Sequence, residues 1–304
     1  MSVLTVGETM ALLDPLEDGA LRLGMPLTLR FAGAESNFAI ALARLGIDVA
    51  WISRLGRDPF GDLILSAVER EGVDVRWVQR DDAPTGLFCK WRSDGQTKVT
   101  YHRAGSAASR MRIGDVPDEA LSGARVVHLT GITMAISESA RELVLDVARR
   151  AKEGGATVVF DPNFRPALPD TPDAAAARQR AVLEHVDWYL CGKGEAELLW
   201  PRGEIPVPSV IRVGARGAIV DGVEVPPPRT ASVVDEVGAG DAFAAGFVYG
   251  VLNGWSSAEC ARAGNVIAAG ALAGTGDWET LPRLEDVRAD LVRQPSGESA
   301  RSSR

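Results

Sequence analysis

Short, nearly continuous apolar runs alternate with segments of three-and-four apolar spacing along most of this chain. That order calls for strands joined by crossover helices in a largely parallel sheet. Val49-Ala50-Trp51-Ile52 reads as a strand. Behind it Pro59 marks a helix start, Phe60, Leu63, Ile64, Ala67 and Val68 recur at helical spacing, and Gly72 closes the helix. The run Arg125 to Leu129, the helical positions Leu143, Val144, Val147 and Ala148, and the run Thr157 to Phe160 make a complete βαβ unit. A length of 304 residues suits one α/β unit with a small appendage, and 46% hydrophobic residues are enough for a sizeable core.

Two stretches break the rhythm. From about Asp14 to Phe31 and from about Thr85 to Arg103 there is no helical period, but turn residues (Asp18-Gly19, Asp94-Gly95) separate alternating segments. Both are expected as antiparallel strands that pair into a small sheet standing off the main domain, a lid over a cleft. One domain is expected over residues 1–293, with lid strands from about 14–31 and 85–103, and the polar, Ser-rich residues 294–304 as a disordered tail.

The charge balance narrows the class of partner. Forty-one acidic against 33 basic residues give a net charge of -8, which excludes a sequence-independent hold on nucleic acid or on anionic membranes and favours a small molecule. Cys89, Cys191 and Cys260 are odd in number and widely spaced, so neither a disulfide framework nor a metal cluster is indicated and a reducing cytoplasm is expected. No apolar run approaches membrane-spanning length, and residues 1–10 lack the pattern of a signal segment. His102, His128 and His185 show no metal-ligand spacing, and His128, inside an apolar strand, is expected in the core.

Three constellations could carry chemistry. In Ser232 to Asp241 a strand runs into Gly238-Ala239-Gly240-Asp241 and then a helix marked by Phe243, Phe247 and Val251. Small residues let the first amides of such a helix approach a phosphate, and the aligned peptide dipoles favour negative charge there. Asp241 in the first turn could then take a proton from an attacking hydroxyl. An ordinary N-terminal turn with an acidic residue complementing the dipole is the alternative. The second constellation is Phe31 to Asn37, a small-residue loop before a helix with Phe38, Ala41, Leu42 and Leu45 on one face and Gly46 at its end. It could offer backbone groups and the Asn37 amide to a polyhydroxylated ligand, or it could be a helix start capped by Ser36. The third is a pair of arginines: Arg103 follows Tyr101 near the end of the second lid stretch, and Arg165 lies just past a parallel strand, where α/β sheets collect ligands. Two guanidinium groups could grip a carboxylate, and surface arginines with weak ion pairs are the alternative.

Taken together these pieces resemble the ribokinase-like (PfkB) carbohydrate kinases. Asp235 to Phe243 is similar to the second signature of that family and Gly33 to Gly46 to its glycine-rich first region. Gly7-Glu8-Thr9-Met10, Gly33 to Asn37, Tyr101 to Ala107, Leu129 to Ile132 and Asp161-Pro162-Asn163-Phe164-Arg165 look most like the family's 2-keto-3-deoxygluconate kinases. The resemblance covers nearly the whole chain. It implies a Rossmann-like three-layer α/β domain with a mostly parallel central sheet and a β-sheet lid, with ATP and Mg²⁺ as cosubstrates and a sugar acid as acceptor. A monovalent cation beside Asp235 stays open.

Carried over, Asp241 becomes the base, with amides of Gly238, Ala239 and Gly240 on the transferring phosphate. Gly33, Asn37, Tyr101, Arg103 and Arg165 become substrate contacts, and Glu195, Arg212, Gly214, Gly217 and Asn265 fall on the ATP side. No metal ligand is assigned directly, and Glu195 could reach magnesium through water. The chain departs from the family pattern at Gly192, where an Asn is common, in the proline-rich stretch from Leu199 to Ile211, and at Phe88, where a Tyr hydroxyl can stand. Kinases of another small sugar such as ribose or fructose, or of a nucleoside, remain alternatives, as does a catalytically weak sugar-binding regulator. Open lid edges imply a homo-oligomer joined through the lids.

Overall fold

Residues 1–93, 96–165, 171–203, 205–228 and 237–291 are described by a computed structural model. The chain opens with β1 (Val3–Val6), buried at all four positions, as a strand covered by helices on both faces must be. It then leaves for an antiparallel hairpin, β2 (Met10–Pro15) with β3 (Leu27–Ala32). Helix α1 (Ala34–Arg44) returns it to β4 (Val49–Ile52), which pairs in parallel with β1. A two-stranded parallel ribbon, β5 (Arg54–Gly56) with β6 (Gln79–Asp81), brackets α2 (Pro59–Arg70). Asp58 caps α2 by accepting from Gly61, and its other carboxylate oxygen accepts from Thr85, which ties the helix to the start of the second hairpin, β7 (Leu87–Ser93) with β8 (Gln96–His102).

Helix α3 (Asp118–Ser122) leads into β9 (Val126–Thr130), α4 (Gly131–Ile136), α5 (Glu138–Glu153) and β10 (Thr157–Asp161), the expected βαβ unit. The pattern repeats through α6 (Pro172–Leu183), β11 (Trp188–Gly192), α7 (Lys193–Leu199) and β12 (Ser209–Arg212). An antiparallel pair of short strands, β13 (Ala218–Val220) and β14 (Val223–Val225), completes the sheet before α8 (Ala239–Leu252), α9 (Ser257–Ala271) and α10 (Leu284–Leu291). No helix interrupts the described residues between α7 and β12, in keeping with their prolines.

Eight strands form the main sheet in the order β14-β13-β12-β11-β10-β9-β1-β4, parallel from β12 to β4. Alternate residues serve opposite layers. Val126 and Val159 join a core with α1, α8 and α9, whereas Val127 and Val158 join one with α5 and α6. Small residues let α8 and α9 approach closely: a methyl group added at Gly246 would lie 2.5 Å from the carbonyl oxygen of Ala263. His128 is a core residue, stacked on Phe38 and bonded through Nδ1 to the Thr5 hydroxyl at 3.0 Å; burial lowers its pKa to about 4.

The two hairpins form a separate four-stranded sheet in the order β3-β2-β7-β8. Each hairpin is antiparallel, but β2 and β7 join in parallel, Ala11 opposite Leu87. The first lid stretch differs from the expected 14–31. Its leading strand starts at Met10, with Met10, Ala11 and Leu12 all buried, and residues 16–26 carry no strand. Met10, Leu12, Ala32 and Phe88 pack on the inner face, while Leu27 and Leu29 remain 43% and 42% exposed. The Asp94-Gly95 turn and the expected tail 294–304 lie outside the described residues.

Candidate active site

A cleft of about 550 Å³ separates the lid from the carboxyl ends of the central strands. Met10, Phe88 and Tyr101 face it from the lid, Gly33 and Asn37 from the start of α1, Asn163 and Arg165 from beyond β10, and Gly240 and Asp241 from the start of α8.

Local backbone chemistry sets the α8 end. Gly238 caps the helix at φ 77, a left-handed conformation open to glycine, and a methyl group there would lie 2.1 Å from the carbonyl oxygen of Asp277. The amides of the first turn have no partner within the helix and point toward the cleft with the positive end of the helix dipole. Asp241 follows in that turn, 9% exposed. Burial pushes its pKa up to about 7, opposed by the Asn37 amide and the charge of Arg165. Asn37 donates to Oδ2 at 2.9 Å and Asn163 to Oδ1 at 3.4 Å.

Beside this turn lies an ion cluster, with Asp161 buried and with Arg212 and Glu195 half-buried and lining the cleft. Arg212 contacts Asp161 at 2.7 Å and Glu195 at 3.3 Å and donates to the Gly240 carbonyl at 3.3 Å. Burial works to lower the Arg212 pKa, but the two carboxylates overcome it and hold the guanidinium charged. Glu195 accepts from the backbone of Phe164 at 2.8 Å and of Gly192 at 2.7 Å, so both its oxygens are already engaged. The backbone of Gly192 thus caps α7 through Glu195, without an asparagine.

The residues assigned from sequence fall into separate places. Gly33, Asn37, Tyr101 and Arg165 share the cleft with Gly238, Gly240 and Asp241, and Ala239 lies between the latter in the first turn of α8. Arg103 does not line it. Its side chain, 10% exposed, pairs with Glu8 at 2.5 Å, and its Nε and Nη1 have no hydrogen-bond partner. Ser106 donates to the other oxygen of Glu8 at 2.6 Å. Gly214 opens a turn that ends at Gly217, φ 92, and Asn265 holds the carbonyl of Val225 at 2.8 Å beside it. None of the three lines the cleft that holds Asp241; Gly214 and Gly217 lie between β12 and β13, with Asn265 of α9 beside Gly217. Asp235 lies outside the described residues.

Sequence reasoning passed over Asn163, Asp161, Glu8 and Glu35. Glu35 is 1% exposed, accepts from the hydroxyls of Thr130 and Thr133, and has its pKa raised by burial against those hydrogen bonds. Asp161 and Asn163 stood within the quoted Asp161 to Arg165 motif, and a polar residue directly after a buried parallel strand was the signal available. Among the described residues, no group of three or more His, Cys, Asp or Glu could hold a metal ion.

The chain matches known proteins along its length. The family described as pfkB family carbohydrate kinase matches residues 1–283. A 2-dehydro-3-deoxygluconokinase of Bacillus subtilis is 35% identical, over 97% of this chain and 96% of the relative. Among solved structures, a PfkB protein from Polaromonas sp. JS666 is 34% identical with a TM-score of 0.84, covering 95% of this chain and 99% of the other. A 2-dehydro-3-deoxygluconokinase from Thermotoga maritima is 26% identical, also with a TM-score of 0.84, covering 96% and 99%.

Proposed function

Because the chain belongs to the pfkB family of carbohydrate kinases, we propose that it moves the γ-phosphoryl group of ATP to a hydroxyl of a small sugar acid, 2-keto-3-deoxygluconate, giving the 6-phosphate. The observation that carries this reading is the Asp241 carboxylate, buried at the N-terminus of α8 and facing the same cleft as Arg165. The relative from Bacillus subtilis, named for that sugar acid, supports the substrate class.

Ionised Asp241 accepts the proton of the sugar hydroxyl as that oxygen bonds to the γ-phosphorus and the bridging bond to the leaving nucleotide breaks. Proton loss is late in such a loose transition state, so the position of the carboxylate matters more than its basicity. The amides of Gly238, Ala239 and Gly240 face the charge that develops on the phosphoryl oxygens, and the helix dipole reinforces them. Arg212 and Asp161 brace that turn from below through the Gly240 carbonyl. Arg165 holds the substrate carboxylate. Arg103, paired with Glu8 outside the cleft lining, is not given that role.

Magnesium would neutralise phosphate charge and arrive with the nucleotide; among the described residues no carboxylate cluster stands ready to hold it. Gly214, Gly217 and Asn265 border the nucleotide beyond the end of β12. We also read the protein as a cytoplasmic homo-oligomer joined through its lids, supported by three free cysteines and the exposed Leu27 and Leu29. An ADP-release assay over sugar acids, ribose, fructose and nucleosides tests the function. The expected result is turnover with 2-keto-3-deoxygluconate well above the rest, and a clear preference for a neutral sugar would overturn the acid assignment.

A further inference from the structure

Asn163 stands in an unusual place for an asparagine of no function. It adopts φ 42, in the left-handed region, one residue after Pro162, and its backbone amide donates to Asp161 at 2.8 Å. Asp161 is itself held by Arg212, which also holds the Gly240 carbonyl. One ion pair therefore fixes both the turn that carries Asn163 and the first turn of α8. The side chain of Asn163, in a residue 5% exposed, then meets Asp241 Oδ1 while Asn37 meets Oδ2. An ionised carboxylate only accepts, so each amide must turn its NH₂ toward Asp241 and its oxygen away. Both of those oxygens are buried and have no partner. An unsatisfied buried acceptor is costly, and two beside one carboxylate in one cleft point to a ligand that donates hydrogen bonds there.

We infer that Asn163 is a positioning residue for the base: with Asn37 it clamps the two oxygens of Asp241, and the paired amide oxygens accept hydrogen bonds from hydroxyls of the bound sugar. The inference rests on the reading of Asp241 as the base. The clamp favours the ionised carboxylate, because both amides donate to it. Around it, Glu35 on α1 and Asp161 on β10 oppose ionisation and Arg165 favours it. Lys90 on β7, Glu195 on α7, Arg212 on β12 and Asp277 before α10 line the same cleft. Removing the Asn163 amide therefore shifts the balance toward the protonated, inactive form.

The test is kcat/KM for 2-keto-3-deoxygluconate against pH in the wild type, Asn163→Gly, Asn163→Asp and Asp241→Asn. Glycine accepts the left-handed backbone without strain, so it deletes the side chain alone. In the wild type the acid limb should fall near pH 7, the value to which burial brings Asp241. Asn163→Gly should move that limb upward by about half to one pH unit and lower the plateau kcat by about tenfold, with the KM for ATP within about twofold. Asn163→Asp keeps the volume and should move the limb further, since a second carboxylate faces the first; it supplies the readout if the glycine variant folds poorly. An acid limb that stays in place in the folded variants overturns the role of Asn163. Near-normal turnover in Asp241→Asn overturns the base itself, so the two failures are told apart.

Discussion

Arg103 and Arg165 carry the same charge and were assigned the same task from their motifs, yet their surroundings differ. Arg165 opens on the cleft, and its charge reaches Asp241. Arg103 is bound to Glu8, which Ser106 holds in turn, a set of contacts between the end of β1 and the end of β8 that no local pattern announces. Substitution of Arg165 by alanine should raise the KM for the sugar acid about 10- to 100-fold, as expected when a charge-assisted hydrogen bond of about 1.5 to 3 kcal/mol is lost. Its effect on a neutral sugar should be within about threefold. Initial-rate kinetics on both substrates decide the matter: equal losses would show that Arg165 does not read the carboxylate. Lysine should restore only part of the affinity, because an ammonium group cannot form the paired fork.

At the scale of elements, the chemistry proposed for α8 depends on its glycine cap. Alanine at Gly238 would meet φ 77 and an atom of Asp277 at 2.1 Å. The left-handed backbone alone costs about 1 to 2 kcal/mol, and the backbone contact adds to it. Gly238→Ala should therefore lower the melting temperature by several degrees and reduce kcat by at least about tenfold as the first-turn amides shift. Calorimetry and rates in the same preparation check both. A variant with unchanged stability and rate would mean that the turn is not constrained as described. The start of β2 escaped a reading from sequence, which began the lid at Asp14. Met10 to Leu12 are a short apolar run with no turn signal of their own, and the register of Ala11 with Leu87 is what places them in the lid.

At the scale of the whole molecule, the lid leaves Leu27 and Leu29 exposed on β3, where the alternating Thr28 and Arg30 are half-buried. An edge strand with apolar residues outward is usually covered. The proposed pairing through the lids predicts a dimer in solution scattering at micromolar concentration. Leu27→Lys with Leu29→Lys should shift the mass to that of a monomer while the melting of the main domain changes little. A monomeric wild type at all concentrations would remove the proposal.

The parallel architecture, the βαβ units, the anion-ready turn at Gly238 to Asp241 and the start of α1 were legible in the chain, because each depends on apolar period, glycine and proline, which act over a few residues. The clamp on Asp241 was not. It joins Asn37 from α1, Asn163 from the end of β10 and Asp241 from α8, and their spacing is set by sheet order and by the pairing of Arg212 with the buried Asp161. Local propensity determines which segments become strands and helices. Which polar groups are buried against one another, and hence which carboxylate has its pKa raised and which arginine is left to face a substrate, follows only when distant segments exclude water together.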